Sequence, residues 1–351
     1  MNKIAYDFGD ISLVNSNDLR GGQIALANES AFNQQFFSDK LTQYAVGWES
    51  DQRKLETLLD FVAPSVTVSR KFQYKVANNA KAFLALEETE DIRAIGGEFK
   101  RIEARGDIVQ ARTYNKGLST IIDLDEEDAE EGLEERKVAW LRKILLRMEI
   151  RRAIAALSAG ATYTGKTTSE GKDDKNWSNP ACTTTTSGTA SNSKIAWSDP
   201  DMDLADLLLS GGDNSGIDPN RILMGKAAWQ SRVRGLRAKD TAGAFASAAM
   251  TPAQLADFLA CDEVFVNKER FQTGSTKQNL VGPNVVLAFM ANPGMSKDDP
   301  SNIKRFVSSQ EGGQFRVYRQ ELTSHLVQIS VSHYSNIVLT SNLGLRKIAV
   351  Y

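Results

Sequence analysis

The sequence predicts a mixed α+β protein, and three patterns carry that prediction. From Val66 apolar and polar residues alternate at period two, as in half-buried strands. From about residue 126 apolar residues recur at spacings of three and four over a long stretch, as on an amphipathic helix. From Asp199 onward short apolar runs alternate with helical patterns, the mark of an α/β unit. With 351 residues, the chain is expected to form two compact units or one elongated subunit of several parts.

Residues 1 to about 45 read as an extended arm with one short amphipathic helix. Phe32, Phe36, Phe37, Leu41 and Tyr44 recur at helical spacing, and Gly21 and Gly22 break the chain before them. Such a helix docks either on its own core or on a neighbouring subunit, and periodicity does not separate the two. Val66, Val68, Phe72, Tyr74 and Val76 mark a strand, and Phe99 to Arg105, continuing through Val109 to Tyr114, mark a second. Between them Glu87, Glu88, Glu90, Asp91 and Arg93 form a charged stretch closed by Gly96 and Gly97, too long for a tight turn and too polar for a core. The prediction is a long two-stranded arm. An isolated hairpin is only marginally stable in water, so this one needs a neighbour to lie on.

A helix is expected from about Glu126 to Ser158, with acidic residues from Asp123 to Asp128 at its start, Arg151 and Arg152 near its end, and Gly160 as its stop. Its length would be about 50 Å, with Gly132 an interruption in its first turns. Val138, Leu141, Ile144, Leu145, Met148, Ile154 and Ala155 form its apolar stripe, with Lys137, Arg142, Lys143 and Glu149 opposite. Residues 159 to 195, rich in Thr, Ser, Gly and Asn, read as a surface excursion with at most short strands. Then follow a helix through Leu204 to Leu209, a strand at Arg221 to Met224 and a helix over Ala227 to Leu236. Thr251-Pro252-Ala253-Gln254 gives a helix start with a capping box. Strands are expected at Glu263 to Val266, Asn284 to Phe289, Phe315 to Tyr318 and Leu326 to Val331.

Composition narrows the function. Acidic and basic residues nearly cancel, 44 against 42, so no excess of cations is available to grip a phosphate backbone, and a histone-like role is disfavoured. Cys182 and Cys261 lie far apart with no metal-ligand spacing, and read as free thiols of a reducing compartment. Acidic residues interrupt the apolar stretches of the N-terminus, so it does not read as a signal peptide, and no apolar run approaches transmembrane length. Gly160 to Thr167 matches the phosphate-loop pattern through Gly160, Gly165, Lys166 and Thr167. A phosphate cradle needs the loop between a buried strand and a helix N-terminus, whereas this one follows a helix and precedes a polar stretch, so the match is read as chance. His325 and His333 lie in one strand-like run and suit one face of a sheet better than a metal site. No metal, cofactor or catalytic set is predicted.

With that order of elements in place, the chain resembles the major capsid proteins of tailed double-stranded DNA bacteriophages, whose Hong Kong 97-type fold is shared with encapsulin shells. Local phrases of the resemblance are Gly97-Glu98-Phe99, Gly117-Leu118, Asp199-Pro200, Pro219 to Gly225, and Thr251-Pro252 leading through Leu255 to Val264. The resemblance implies an N-terminal arm over 1 to 45, a long β-hairpin E-loop with its flanks over 46 to 125, and a peripheral β-sheet domain with its spine helix over 126 to 195. It implies an α/β axial domain over 196 to 304, return strands of the peripheral domain over 305 to 337, and a C-terminal segment, 338 to 351, that can belong to the axial domain. It further implies a structural protein rather than an enzyme, assembling with itself as hexamers and pentamers into an icosahedral head around packaged double-stranded DNA, in the bacterial host cytoplasm. A separate scaffolding protein, a portal and a decoration protein are the other implied partners; no membrane is. Inter-subunit contacts fall to Phe32, Phe36 and Phe37 of the arm and to the hairpin tip, Glu87 to Gly97. Crosslinking of Lys81 or Lys100 to Asn336 or Asn342 has only common residue types behind it. An encapsulin-like protein-cargo compartment is the alternative within the fold, and a phosphate-loop hydrolase using Lys166 and Thr167 the alternative outside it.

Overall fold

The computed structural model describes residues 6–8, 11–13, 53–76, 107–125, 132–163, 174–183, 195–239, 241–273, 275–292, 294, 296–308 and 315–350. In chain order its elements are β1 (Tyr6–Phe8), β2 (Ile11–Leu13), α1 (Arg53–Val62), β3 (Ser65–Thr67), β4 (Lys71–Val76), β5 (Asp107–Arg112), β6 (Tyr114–Asp123) and α2 (Leu133–Gly160). Then come β7 (Thr162–Tyr163), β8 (Asp174–Lys175), α3 (Pro200–Ser215), β9 (Arg221–Gly225), α4 (Lys226–Ala238), α5 (Ala242–Ala249) and α6 (Pro252–Leu259). The last are β10 (Glu263–Asn267), β11 (Arg270–Thr273), β12 (Thr276–Asn279), β13 (Val285–Phe289), β14 (Ile303–Val307), β15 (Arg316–Glu321), β16 (Leu326–Leu339) and β17 (Arg346–Val350). This is a mixed α+β chain. It divides into two units, Met1–Arg53 with Tyr114–Leu145 and Ser308–Ser335, and Lys54–Thr113 with Leu146–Val307 and Asn336–Tyr351.

In the first unit β16 runs antiparallel to β15, with Val317 opposite Val331, and antiparallel to β6, with Leu118 opposite the same Val331. Val327, Ile329 and Val331 are fully buried while Gln328, Ser330 and Ser332 between them are half-buried, as period two requires. Gly117 is forced by this packing, because a Cβ there would lie 2.9 Å from the Val331 carbonyl oxygen. The first half of α2 reaches the sheet through Arg319, whose Nε donates to Glu134 at 2.8 Å, and through Arg142, whose guanidinium lies 5.2 Å from the Phe315 ring centre. That ring in turn meets His333 at 5.0 Å.

Helix α2 opens at Leu133, directly after the interruption expected at Gly132; Leu124 and Asp125 are helical, and residues 126–131 lie outside the described residues. Gly132, at φ +75°, holds a left-handed conformation that helical hydrogen bonding cannot run through, and Glu134 and Glu135 occupy the new first turn. Its 28 residues end at Gly160, where a Cβ would lie 2.3 Å from Leu339 Cδ2. Arg151 and Arg152 fall short of the last turn, which holds no basic residue. Two residues expected on the solvent side, Arg142 and Glu149, are buried, and Ala155 of the expected apolar stripe is exposed. The helix is covered on more sides than an amphipathic surface helix, so charge alone does not mark its free face.

The second unit is built on a sheet of order β10-β9-β13-β17-β7, with β8 also on β17. β9 and β10 are parallel, and β13 runs antiparallel to both β9 and β17. The interior strand β9 is buried along its whole length, which is why its sequence reads as a continuous apolar run without alternation. Asp199 caps α3 by accepting from the Asp201 amide, and Gly216 ends it at φ +74°. Thr251 and Gln254 form the expected capping box of α6. Leu204, Leu207, Ile222, Met224, Leu255, Val286 and Ile348 fill the core with Trp177. Helix α1, absent from the sequence expectation, seats Phe61 between Phe265, 5.2 Å away, and Phe289, 5.7 Å away. Its unsatisfied carbonyls at Asp60 and Phe61 accept from the Arg221 guanidinium.

Residues 66–76, read as one strand, form two. β3 pairs in parallel with β14, Val66 opposite Phe306, while β4 turns away to pair antiparallel with β5. In the stretch 159 to 195, past the end of α2, only the short strands β7 and β8 form among the described residues, as expected, but Trp177 departs from the reading as a surface excursion. Its side chain is fully buried in the α/β core.

Candidate assembly elements

The hairpin base is fixed by its apolar face. Phe72 and Tyr74 of β4 stack on Phe306, with ring centres 4.4 and 5.5 Å apart, and burial raises the Tyr74 phenol above its ordinary pKa. Two further bonds tie the base down, Thr113 N–H to the Arg70 carbonyl at 2.9 Å and Asn336 Nδ2 to the Arg112 carbonyl at 2.9 Å. The cover is then lost along the hairpin. Val109, opposite Tyr74, is 38% exposed and Ile108 is 60% exposed.

At the start of α3 three aspartates at alternate positions each take a cation from elsewhere in the unit. Asp201 accepts Arg232 Nε at 2.7 Å and Nη2 at 3.2 Å. Asp203 accepts Lys175 Nζ at 2.8 Å and Trp177 Nε1 at 2.7 Å. Asp199 accepts Lys239 Nζ at 3.2 Å, and that ammonium also lies 4.9 Å from the Trp197 ring centre. Trp197 Nε1 closes the set on the Trp177 carbonyl at 3.1 Å. This network fixes the segment after α2 to the α/β unit. On its outer face α3 leaves Met202 and Leu209 exposed, and α5 and α6 leave Phe245 and Phe258 exposed.

The predicted contact residues Phe32, Phe36, Phe37, Glu87, Glu88, Glu90, Asp91, Arg93, Gly96 and Gly97 lie outside the described residues, as do Lys81 and Lys100. Of the phosphate-loop match, Gly160 is the last residue of α2, and Gly165, Lys166 and Thr167 lie outside the described residues. The histidines do not share a sheet face: His325 is exposed before β16 begins, and His333 is buried. Cys182 and Cys261 are free thiols, and burial pushes the Cys261 thiol up to about 11. Among the described residues no group of three or more His, Cys, Asp or Glu is placed to hold a metal ion, and no helix is long and apolar enough to cross a membrane. Sequence reasoning missed Trp177, Asp201, Asp203 and Arg232. A tryptophan inside a polar stretch, followed by alternating aspartates after Asp199-Pro200, is the signal that was there to use.

No family model matches the chain, and no curated protein matches it by sequence. Among solved structures, a phage-related protein from Bordetella bronchiseptica superposes with a TM-score of 0.59 at 18% identity, over 90% of this chain and 97% of that one. The chain therefore has the fold of that protein over nearly its whole length. The capsid of the cyanophage P-SCSP1u matches at a TM-score of 0.46 and 10% identity, over 82% of this chain and 84% of that one. A virus-like particle from Pyrococcus furiosus matches at 0.44 and 14%, over 84% and 98%.

Proposed function

We propose that the chain is the major capsid protein of a tailed double-stranded DNA bacteriophage, a shell-building subunit and not an enzyme. The observation that carries this reading is the fold shared, almost end to end, with a phage-related protein. The order of elements supports it: a two-stranded ribbon, then a helix of 28 residues, then an α/β sheet, then long return strands. In this reading β4 and β5 are the root of the E-loop, α2 is the spine helix, and β6, β15 and β16 belong to the peripheral domain. The sheet from β9 to β13 is read as the axial domain, and the pairing of β17 with β13 supports counting the C-terminal segment with it.

A ribbon exposing Ile108 and Val109 has little use in a monomer. In a shell it contributes to contacts that typically bury about 1,200–2,000 Å² each. The arm, with Phe32, Phe36 and Phe37, and the hairpin tip from Glu87 to Gly97 are the proposed contact segments between neighbours in hexamers and pentamers. A separate scaffolding protein, a portal and a decoration protein complete the proposed head, which forms in the host cytoplasm and holds DNA. A near-neutral subunit encloses DNA without immobilising it.

Negative-stain electron microscopy of the protein, alone and with a scaffolding partner, tests the reading. Closed shells, tubes or hexameric capsomers are expected. A folded monomer under both conditions overturns it. Nucleic acid rather than protein inside purified particles separates a phage head from an encapsulin-like compartment.

A further inference from the structure

Between β13 and β14 the chain makes a loop whose carbonyls converge on one point. Lys304, the second residue of β14, has a side chain with no solvent exposure. Its Nζ donates to the carbonyls of Ser296 at 3.2 Å, Lys297 at 2.9 Å and Asp299 at 2.5 Å. Three main-chain oxygens around a single positive centre form the donor set that proteins otherwise offer to a bound cation. The loop is braced for the purpose. The Asp299 carboxylate accepts from the Ser301 amide and hydroxyl, the Asp298 amide donates to Ser296 Oγ at 3.3 Å, and Asn292 N–H donates to Ser301 Oγ at 3.3 Å. The nearby carboxylates of Asp298 and Asp299 favour the charged amine, against burial, which opposes it.

We propose that residues 296–301 form a cation-binding cradle whose occupant is the tethered ammonium of Lys304, and that the cradle accepts a free primary alkylammonium when the tether is cut. Without the N–H donors of that side chain, three part-buried carbonyls lose their partner, so the loop loses its order while the strand behind it stays paired. A buried lysine that served only as packing would behave otherwise, since a side chain of equal volume would replace it.

The experiment uses the full chain with Lys304→Ala, which removes three methylenes and the amine, the atoms of n-propylammonium. Hydrogen exchange of the 296–299 and 301 amides is followed with added n-propylammonium chloride, with 1-propanol, and with sodium chloride at equal concentration. Loss of protection in the variant is expected, with about tenfold recovery when n-propylammonium reaches ten times its dissociation constant. Neither control should recover it. Equal recovery with propanol, or none with n-propylammonium, overturns the proposal. Lys304→Met keeps the stem's volume and gives a second reading, and retained protection in that variant also overturns it. Should neither variant fold, acetylation of the unmodified protein decides. Exposed Lys297 should react with a small amine-reactive ester while Lys304 stays protected, and equal rates for the two overturn the cradle.

Discussion

Arg232 and Asp201 face each other across two hydrogen bonds, Nε to Oδ1 at 2.7 Å and Nη2 to Oδ2 at 3.2 Å, with the guanidinium wholly out of solvent. Arg232 also donates to the Ser247 carbonyl at 3.0 Å and lies 5.1 Å from the Trp229 ring centre, so one side chain joins α3, α4 and α5. Removing one member of such a pair leaves the other charge buried, at a cost of about 3–5 kcal/mol. Arg232→Met and Asp201→Asn should each lower the urea midpoint of the α/β unit strongly. The double variant should cost less than the sum of the two, because neither charge is then orphaned.

Gly235 and Gly243 make opposite predictions from the same substitution. A Cβ at Gly235 would lie 1.7 Å from the Trp177 carbonyl oxygen, which itself accepts from Trp197, so backbone must move. Gly235→Ala should cost about 1–3 kcal/mol or more. At Gly243, within α5, nothing lies within 4 Å of the added methyl. Gly243→Ala should stabilise by about 0.5–1 kcal/mol, since alanine loses less backbone entropy in a helix. Thermal melts of the two variants beside the parent check both signs.

These cases mark how far the sequence reaches. The capping box at Thr251 and Gln254 is written within four neighbouring residues, so it was legible, and so was the apolar run of β9. The break before α2 was legible too, at Gly132, whose left-handed conformation sets the start of the long helix at Leu133. The parallel pairing of β17 with β7 and β8 joins residues far apart in the chain, and no local pattern encodes it. Trp177 escaped because the polar residues around it describe the loop's surface, while its own burial depends on α3 and on the absence of a side chain at Gly235. Lys304 escaped because its acceptors are main-chain carbonyls, which every residue has.

Lys304 also gives a pH dependence with a definite sign. Burial lowers its pKa from the ordinary 10.5 to about 8, while Asp299 and Asp298 hold it from falling further. Between about 8 and 10.5 the unfolded chain therefore binds the proton that the folded one has lost. Stability rises with pH through that window, by at most about 3 kcal/mol, and is level below it as far as this group is concerned. Urea midpoints at pH 7.5 and 9.5 should show the increase. Lys304→Met should flatten it, and an unchanged slope in that variant would assign the effect to another group.

Cys261 should be slow to react. Desolvation is the main cause that lifts its thiol to about 11, with the charges of Asp262 and Asp257 adding to it. At pH 8 its thiolate fraction is about a hundredfold below that of a thiol at the ordinary value of 9.0. Iodoacetamide labelling read by peptide mass spectrometry should find Cys261 unmodified at times when a model thiol is consumed, and labelled readily once the unit is unfolded in urea.

Ile108 connects the exposed ribbon to the proposed shell. It stands opposite Lys75 in the β4–β5 pairing and is 60% exposed, so a charge there meets water in the isolated subunit and changes stability by no more than about 0.5 kcal/mol. In an assembled shell the same position would lie against a neighbour, and a carboxylate would be desolvated without a partner, which is strongly unfavourable. Ile108→Asp is therefore expected to melt like the parent but to stop at free subunits or capsomers under conditions in which the parent closes shells. Sedimentation velocity separates these species directly. Normal shells from this variant would show that the root of the ribbon lies outside the contact, and would move the apolar contact toward the α/β unit, where Met202, Leu209, Phe245 and Phe258 are exposed.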